Sequence, residues 1–402
     1  MREGWKSKKL KEVCDKITDG THQTPKYFDE GVIFLSSKNV TSGKIDWDNI
    51  KYIDEAQHFE MHKRVAPRVG DILLAKNGTT GVAAMVDRDV VFDIYVSLAH
   101  IRVLDEITPE YMLYFINSPL AKEQFNSRLK GVGVPNLHLQ EIREVKITYP
   151  KSLQEQQQIV AILDKAFKAI DQAKANIEKN IDNAKELFQS KLDSVFLKKG
   201  DDWEEKKLGE IASVEYGYTD KSTTEGDYRY VRITDIDNNG KLISEDKKYI
   251  KYSKEAEKFI LKDKDLLMAR TGATFAKVLL HNNVEPSVFA SYLIRINFQE
   301  KIENELYWYF SKSGYYWQQA NDLSSGAAQP HFNGAALKQV VFSYPKSIDK
   351  QQKLLNIFKG FLTETQEIVQ VYDKKLLNLD ELKKSILQKA FAGELTNKEV
   401  LV

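Results

Sequence analysis

The stretch YPKSLQEQQQIVAIL fills residues 149–163, and YPKSIDKQQKLLNIF fills residues 344–358. The two lie 344 − 149 = 195 residues apart, each opening a long run without proline. A phrase written twice at the mouths of two helices raises the question of an internal repeat, and a missed repeat mis-assigns the whole fold. Here the repeat runs nearly end to end. Trp5-Lys-Ser-Lys-Lys-Leu10 returns as Trp203-Glu-Glu-Lys-Lys-Leu208, FLSSKNVTSGKI (34–45) as YVRITDIDNNGKL (230–242), and GDILLAKNGTTG (70–81) as KDLLMARTGATF (264–275).

Each copy has two parts. Residues 1–148 and 201–343 carry short β-rich runs such as VIFLSS, DILLAK, YRYVRITDI and DLLMAR between Gly, Asn and Asp turn signals. Helical segments PEYMLYFINS (109–118) and ENELYWYFSKSGYYW (303–317) close each part, which predicts two α+β globular heads. The intervening parts, 149–200 and 344–402, are dense in Gln, Lys, Glu, Ala, Leu and Ile and predict one long helix each. In the first, Ile159, Leu163, Ala166, Ile170, Ala173 and Ile177 follow a heptad seam. Adding 195 gives Leu354, Phe358, Phe361, Thr365, Ile368 and Tyr372, with Asn180 and Lys375 at the next seam place. Each helix would span about 70 Å. Packed antiparallel as a coiled coil, the pair would relate the copies by a pseudo-two-fold axis, with one head at either end. For a heptad run taken alone, the plainer reading is a generic spacer. At the helix mouths Ser152 and Ser347 are candidate N-caps, and Glu155 is placed to complete a capping box in the first copy only, since Lys350 stands there in the second.

Composition narrows the function classes. At 402 residues and 46.2 kDa the chain is long enough for two to three domains. Charge is balanced, 59 Lys plus Arg against 58 Asp plus Glu, so no global field draws the protein onto nucleic acid and any DNA-binding surface must be local. One cysteine, Cys14, leaves no internal disulfide or multi-cysteine zinc motif and fits a reducing cytoplasm. The first residues lack the apolar core of a signal peptide and no long apolar run occurs, so a cytoplasmic location without membrane contact is expected.

Catalytic motifs are absent from the reading. KNGTTG (76–81) has no Lys-Ser/Thr to follow it as a P-loop would, GVGVPN (131–136) lacks the third glycine of a dinucleotide site, and no amino-methyltransferase motif or Gly-x-Ser-x-Gly elbow is present. The pair His58 and His62 has helical i, i+4 spacing, but the intervening glutamate is misplaced for a zinc protease, and Lys258 and Lys262 stand at the repeat positions. The expectation is a surface helix without metal, and a chain that is not an enzyme.

The turns offer polar groups suited to phosphates and base edges. In the first copy these are Thr21, His22, Thr24 and Lys26; Ser36, Ser37, Lys38 and Asn39; and Lys76, Asn77, Thr79 and Thr80. In the second they are Tyr218, Lys221, Arg229, Arg232, Thr234, Asp235, Arg270, Thr271 and Thr274. Asn136 and His138 in the loop before the first YPKS, and Gln329 and His331 before the second, complete the set. Solvated loop is the bland alternative for any one of them. The frame motifs match between copies while these residues differ, as two heads reading two different short sequences would.

In this order and twice over, the W-x-x-K-K-L starts, DGTHQTP, GDILLAKNG with KDLLMARTG, the Y-P-K-S joints and the closing LQKAFAGEL (387–395) resemble the specificity subunit of a type I restriction-modification system. The resemblance covers essentially the whole chain. It implies two target-recognition domains and two helices that set their separation and dock two methyltransferase subunits, with restriction subunits in the larger assembly. S-adenosylmethionine, adenine-N6 chemistry and ATP would belong to those partners. The competing reading is a non-enzymatic coiled-coil adaptor with two protein-binding heads.

Overall fold

The computed structural model describes residues 2–129, 136–237, 239–282, 285–324 and 331–396. It divides into two compact units, Met1–Ile177 with Lys374–Val402, and Glu178–Asp373. Each unit takes one head together with parts of both long helices, the central helix Leu153–Lys198 and the C-terminal helix Ile348–Ala392.

In the first head Trp5–Lys9 pairs antiparallel with Lys146–Pro150, so the YP of the joint is the end of a strand. A four-stranded antiparallel sheet follows the order Cys14–Asp19, Leu98–Val103, Ile72–Ala75, Ala83–Met85. A three-stranded sheet sets Val32–Leu35 between Lys51–Ile53 and a parallel Phe92–Ile94. The second head repeats this plan. Trp203–Lys207 pairs with Val341–Pro345, the four strands run Ala212–Tyr216, Leu293–Phe298, Leu266–Ala269, Val278–Leu280, and Tyr228–Val231 lies between Tyr249–Ile250 and Ser287–Phe289.

The continuous apolar runs DILLAK and DLLMAR are explained by a strand covered on both faces. Alternate side chains point to opposite faces. Ile72 and Leu74 enter a core with Tyr111 and Phe115, whereas Leu73 and Ala75 enter another with Leu35 and Phe92. Leu266 and Met268 divide from Leu267 and Ala269 in the same way.

Each head is completed by the start of its own helix and the end of the other. In the first unit Ile159 and Leu163 share a core with Leu387, Ala390 and Phe391, and Phe391 meets Tyr111 and Phe115 edge-on at 5.2 and 5.5 Å. In the second, Leu355 and Phe358 share a core with Leu192 and Phe196, whose ring lies 5.2 Å from Phe310 and 5.7 Å from Phe358. Within the first unit Lys383 pairs with Asp171 at 3.6 Å and lies over the Phe167 ring, and Lys174 pairs with Asp380, which fixes the two helix segments as antiparallel. Glycine closes this arrangement: Gly393 at φ +78° ends the helix, Glu394 N–H donating to Lys389 O at 2.9 Å, and a Cβ there would meet Arg2 and Trp5.

The predicted seam holds at first and then slips. Ile159, Leu163, Ile170 and Phe358 are buried, and Ala166, Ala173, Ile177, Leu354, Phe361, Thr365 and Tyr372 are half-buried. Asn180 and Lys375, placed on the seam by the heptad count, are exposed, and Ile181 and Leu376 turn inward instead. Ile368 is likewise 44% exposed while Val369 is half-buried. A straight helix turns 3.6 residues, so a strict seven-residue count drifts about 20° per heptad and the next residue takes over.

Two further local expectations need correction. The segment 303–317 is broken into Asn304–Phe310 and Gly314–Leu323, because Ser313 Oγ accepts from Tyr316 N–H at 3.1 Å and starts a new helix. Ser152 Oγ accepts from Glu155 N–H at 3.3 Å, but Glu155 does not close a capping box: its carboxylate accepts from Thr396 Oγ1 at 2.7 Å and pairs with Arg2 at 3.1 Å.

The repeated glutamine of the opening phrase is the pin of each joint. Gln156, fully buried, donates from Nε2 to the carbonyls of Pro150 (3.0 Å) and Glu106 (2.9 Å) and accepts from Thr108 N–H at 2.9 Å. Gln351 repeats the pattern with Pro345 (2.8 Å), Lys301 (3.1 Å) and Glu303 N–H (2.9 Å). A buried amide that meets strand end, loop and helix start at once fixes the angle at which the helix leaves the head.

Candidate nucleic-acid interface

In the first head the functional groups gather where strands Cys14–Asp19 and Ile72–Ala75 end. The chain after Asp19 must run directly against strand Phe92–Ile94: Thr21 bridges Tyr95, and a Cβ on Gly20 would lie 1.8 Å from Ile94 O. Only glycine permits that approach. Gly217 does the same in the second head, where a Cβ would lie 2.3 Å from Ala290 O and Tyr218 bridges Ala290.

Asp19 organises this end of the first head. Buried Lys76 donates to it at 2.6 Å, Arg64 donates Nε to its backbone carbonyl at 2.9 Å and Nη2 to its carboxylate, and His22 Nε2 lies 3.3 Å away. Burial works to raise the Asp19 carboxyl, but Lys76, Arg64 and His22 together hold it below the usual carboxylate range. Beside them the glycine turn pairs with the loop before the helix: Asn77 bridges Asn136, and Leu137 N–H donates to Lys76 O at 3.0 Å. Asp19, His22, Lys76, Asn77, Asn136 and His138 line one cleft of about 560 Å³. The side-chain oxygens of Asn77 and Asn136 are enclosed and have no hydrogen-bond partner among the described residues.

The second head builds the same corner from other side chains. Arg270 takes the place of Lys76 and Thr271 that of Asn77; Thr271 bridges His331 as Asn77 bridges Asn136, and Phe332 N–H donates to Arg270 O at 2.9 Å. The Arg270 guanidinium lies 4.8 Å from the Tyr216 ring and 5.9 Å from that of Tyr292, with Nη1 donating to Ser291 O at 3.1 Å. Its Nε is enclosed without a partner among the described residues.

The structure sorts the remaining sequence candidates. Thr24, Lys26, Lys38, Thr79, His138, Lys221, Thr234 and His331 are exposed. Ser36, Ser37, Thr80, Tyr218, Arg232 and Thr274 are half-buried. Thr21 and Thr271 are buried beside the bridges they make. Three residues read as loop groups are frame instead. Asn39 is buried, accepting from Ser36 N–H at 2.9 Å and donating to Asn49 O at 3.0 Å. Asp235 is buried under Arg232, at 2.7 Å from its guanidinium. Arg229, 3% exposed, lies in a strand and holds Glu285 and the Ile243 carbonyl. Gln329 lies outside the described residues. Sequence reading missed Asp19, Arg64, Tyr216 and Tyr292; Asp19 carries a weak signal as the residue before an obligatory glycine, and the others carry none.

A second polar cluster lies on the three-stranded sheet of the first head. His58 Nδ1 is 2.7 Å and His62 Nδ1 2.9 Å from the two carboxylate oxygens of Asp93. It is the group of three or more donors placed to hold a metal ion among the described residues. No helix among those residues is long and apolar enough to cross a membrane.

Comparison with known proteins matches two segments, 2–183 and 200–377, to the family described as type I restriction modification DNA specificity domain. The chain is 23% identical over 424 residues to the StySPI type I restriction enzyme specificity subunit of Salmonella potsdam, covering 98% of this chain and 90% of that one. It is 24% identical over 363 residues to the MjaVIII specificity subunit of Methanocaldococcus jannaschii, covering 84% and 82%. In fold it is similar to a chain solved in a study of type I R-M complex assembly, with TM-score 0.76, 17% identity and 98% and 99% coverage. The HsdS subunit of Thermoanaerobacter tengcongensis gives TM-score 0.55 at 18% identity, with 98% of each chain covered.

Proposed function

This chain belongs to the type I restriction modification DNA specificity family, and we propose that it is the DNA-reading adaptor of such a system, each head contacting one half of an asymmetric bipartite target. The observation that carries the reading is one corner built twice with different chemistry. Where the first head sets the amides of Asn77 and Asn136 at this corner, the second sets the guanidinium of Arg270 beside Thr271 and His331. Amide oxygens suit the exocyclic amino groups of adenine or cytosine; arginine suits the N7 and O6 acceptors of guanine or a phosphate. Two such corners on one frame support two different half-sites.

In this reading the chain is not itself an enzyme and acts in the cytoplasm. Methyltransferase subunits dock on it, carry S-adenosylmethionine and flip the target adenine from the stack. Restriction subunits bring ATP. The balanced charge of the chain, and the neutralisation of Lys76 by Asp19, support weak binding by this chain alone, with partners closing around the duplex to add phosphate contacts.

The test is to co-express the chain with its neighbouring methyltransferase gene, map modified adenines, and then exchange residues 1–148 for the same region of another member. A bipartite motif in which one half alone changes is the expected result. Absence of a bipartite motif, or change in both halves, contradicts the proposal.

A further inference from the structure

We infer that His58, His62 and Asp93 form a binding site for one divalent transition-metal ion of the zinc class in the first head. The helix Glu55–His62 places the two imidazoles i, i+4 on one face, their ring centroids 4.7 Å apart. That face is turned onto strand Phe92–Ile94, which supplies the third donor, invisible to any local reading of the sequence. One ligand atom from each of the three lies within 4.8 Å of the others. Tetrahedral bonds of about 2.0–2.2 Å set donor atoms roughly 3.3–3.6 Å apart, so the widest of these spacings closes by about 1 Å, within reach of rotation of the two imidazoles. Two imidazoles with one carboxylate select a zinc-like ion over magnesium or calcium, which favour all-oxygen shells.

Burial gives the cluster an inside and an entrance. The Asp93 side chain is 2% exposed, whereas those of His58 and His62 are 19% and 32% exposed. In the metal-free arrangement each carboxylate oxygen accepts from one ring Nδ1–H; on binding an ion each neutral imidazole would carry its proton on Nε2 and turn the freed Nδ1 lone pair to the metal.

The second head shows that the frame does not need this carboxylate. Asp93 stands opposite Phe34 in the parallel pair, and the residue opposite the matching Tyr230 is Val288, packed in an apolar cluster with Ile250 and Ala256. Lys258 and Lys262 replace the histidines there. All three donors are present in one copy and all three are absent from the other, as parts of one site would be. A carboxylate buried where a valine serves is costly without a cation to compensate it. The site also has a neighbour to act on. Arg64, two residues beyond His62, is one of the groups that grip Asp19 at the candidate interface, so an ion tying the helix to the sheet fixes the element that delivers it.

The experiment titrates cobalt(II) into the full chain and follows its visible absorption, with zinc(II) as competitor. Saturation at one ion per chain is expected, with displacement by zinc. Asp93→Val and the double change His58→Lys with His62→Lys insert the residues of the second copy, and each should weaken binding by at least ~10-fold while circular dichroism stays that of the native fold. No saturable binding by the native chain, the outcome if the three groups only satisfy one another, overturns the inference. Unchanged affinity in the double-lysine variant overturns it equally, and His58→Ala with His62→Ala repeats that arm should the lysines disturb folding.

Discussion

The side-chain amide of Gln156 donates to the backbone carbonyl of Pro150 at 3.0 Å, so the first turn of the central helix is bonded to the last residue of the strand that precedes it. With Glu106 and Thr108 also on this amide, its removal strands one buried and two half-buried backbone groups. Gln156→Leu should therefore destabilise the first unit by roughly 2–4 kcal/mol in urea unfolding. Gln351→Leu should act alike on the second, and site-resolved hydrogen exchange should show each effect confined to its own unit.

Asp19 holds Lys76, Arg64 and His22 in one cluster. Asp19→Asn frees two cations at the candidate interface while loosening their positions. In the complex with methyltransferase subunits, non-specific DNA affinity should rise and the salt dependence of binding steepen. Discrimination at the first half-site should fall by ~10-fold or more, with the second half-site unchanged.

Arg270 lies against Tyr216 and Tyr292 in the second head. Arg270→Lys keeps the charge and loses the planar fork. Competition binding with half-site variants should show about 1–3 kcal/mol lost at one position of the second half-site, and none at the first.

Asp71 ties strands together in the first head, bonded by Arg102 at 2.7 and 2.8 Å and by His100 at 2.7 Å. Burial works to raise its carboxyl, but Arg102 and His100 hold it well below the usual range. Its folded value lies under the unfolded one of about 3.9, so the pairing stabilises fully above that pH and is lost as pH falls below it. Asp71→Asn should destabilise the first head by roughly 3–5 kcal/mol at neutral pH, and the gap to native, read from unfolding midpoints, should narrow below about pH 4.

Phe391, at the end of the helix Ile348–Ala392, is buried against Tyr111 and Phe115. Phe391→Ala should cost the first unit ~3–5 kcal/mol. Phe196→Ala should do the same to the second, a pairing that generic spacer helices would not produce.

Much of the frame was legible because repetition multiplies weak signals. A single YPKS or a single heptad run carries little, but two in matching order fix helices, heads and joints together. The site was legible only as a set of turns. Lys76 and Arg270 are one place in the frame, as their matching bridges show, yet the partners that define them, Asp19 with Arg64 in one case and Tyr216 with Tyr292 in the other, come from strands and loops far off in sequence.

The sequence by itself determined the duplication, the two long helices and the places where the copies diverge, because these rest on local periodicity and on identities at a constant offset. Tertiary structure alone decided that each head is finished by the end of the other copy's helix, that Ile181 rather than Asn180 faces inward, and that Asp93 lies beneath His58 and His62. Those outcomes depend on helical drift accumulated over many turns and on strand pairing across tens of residues. Neither leaves a mark in the neighbouring letters.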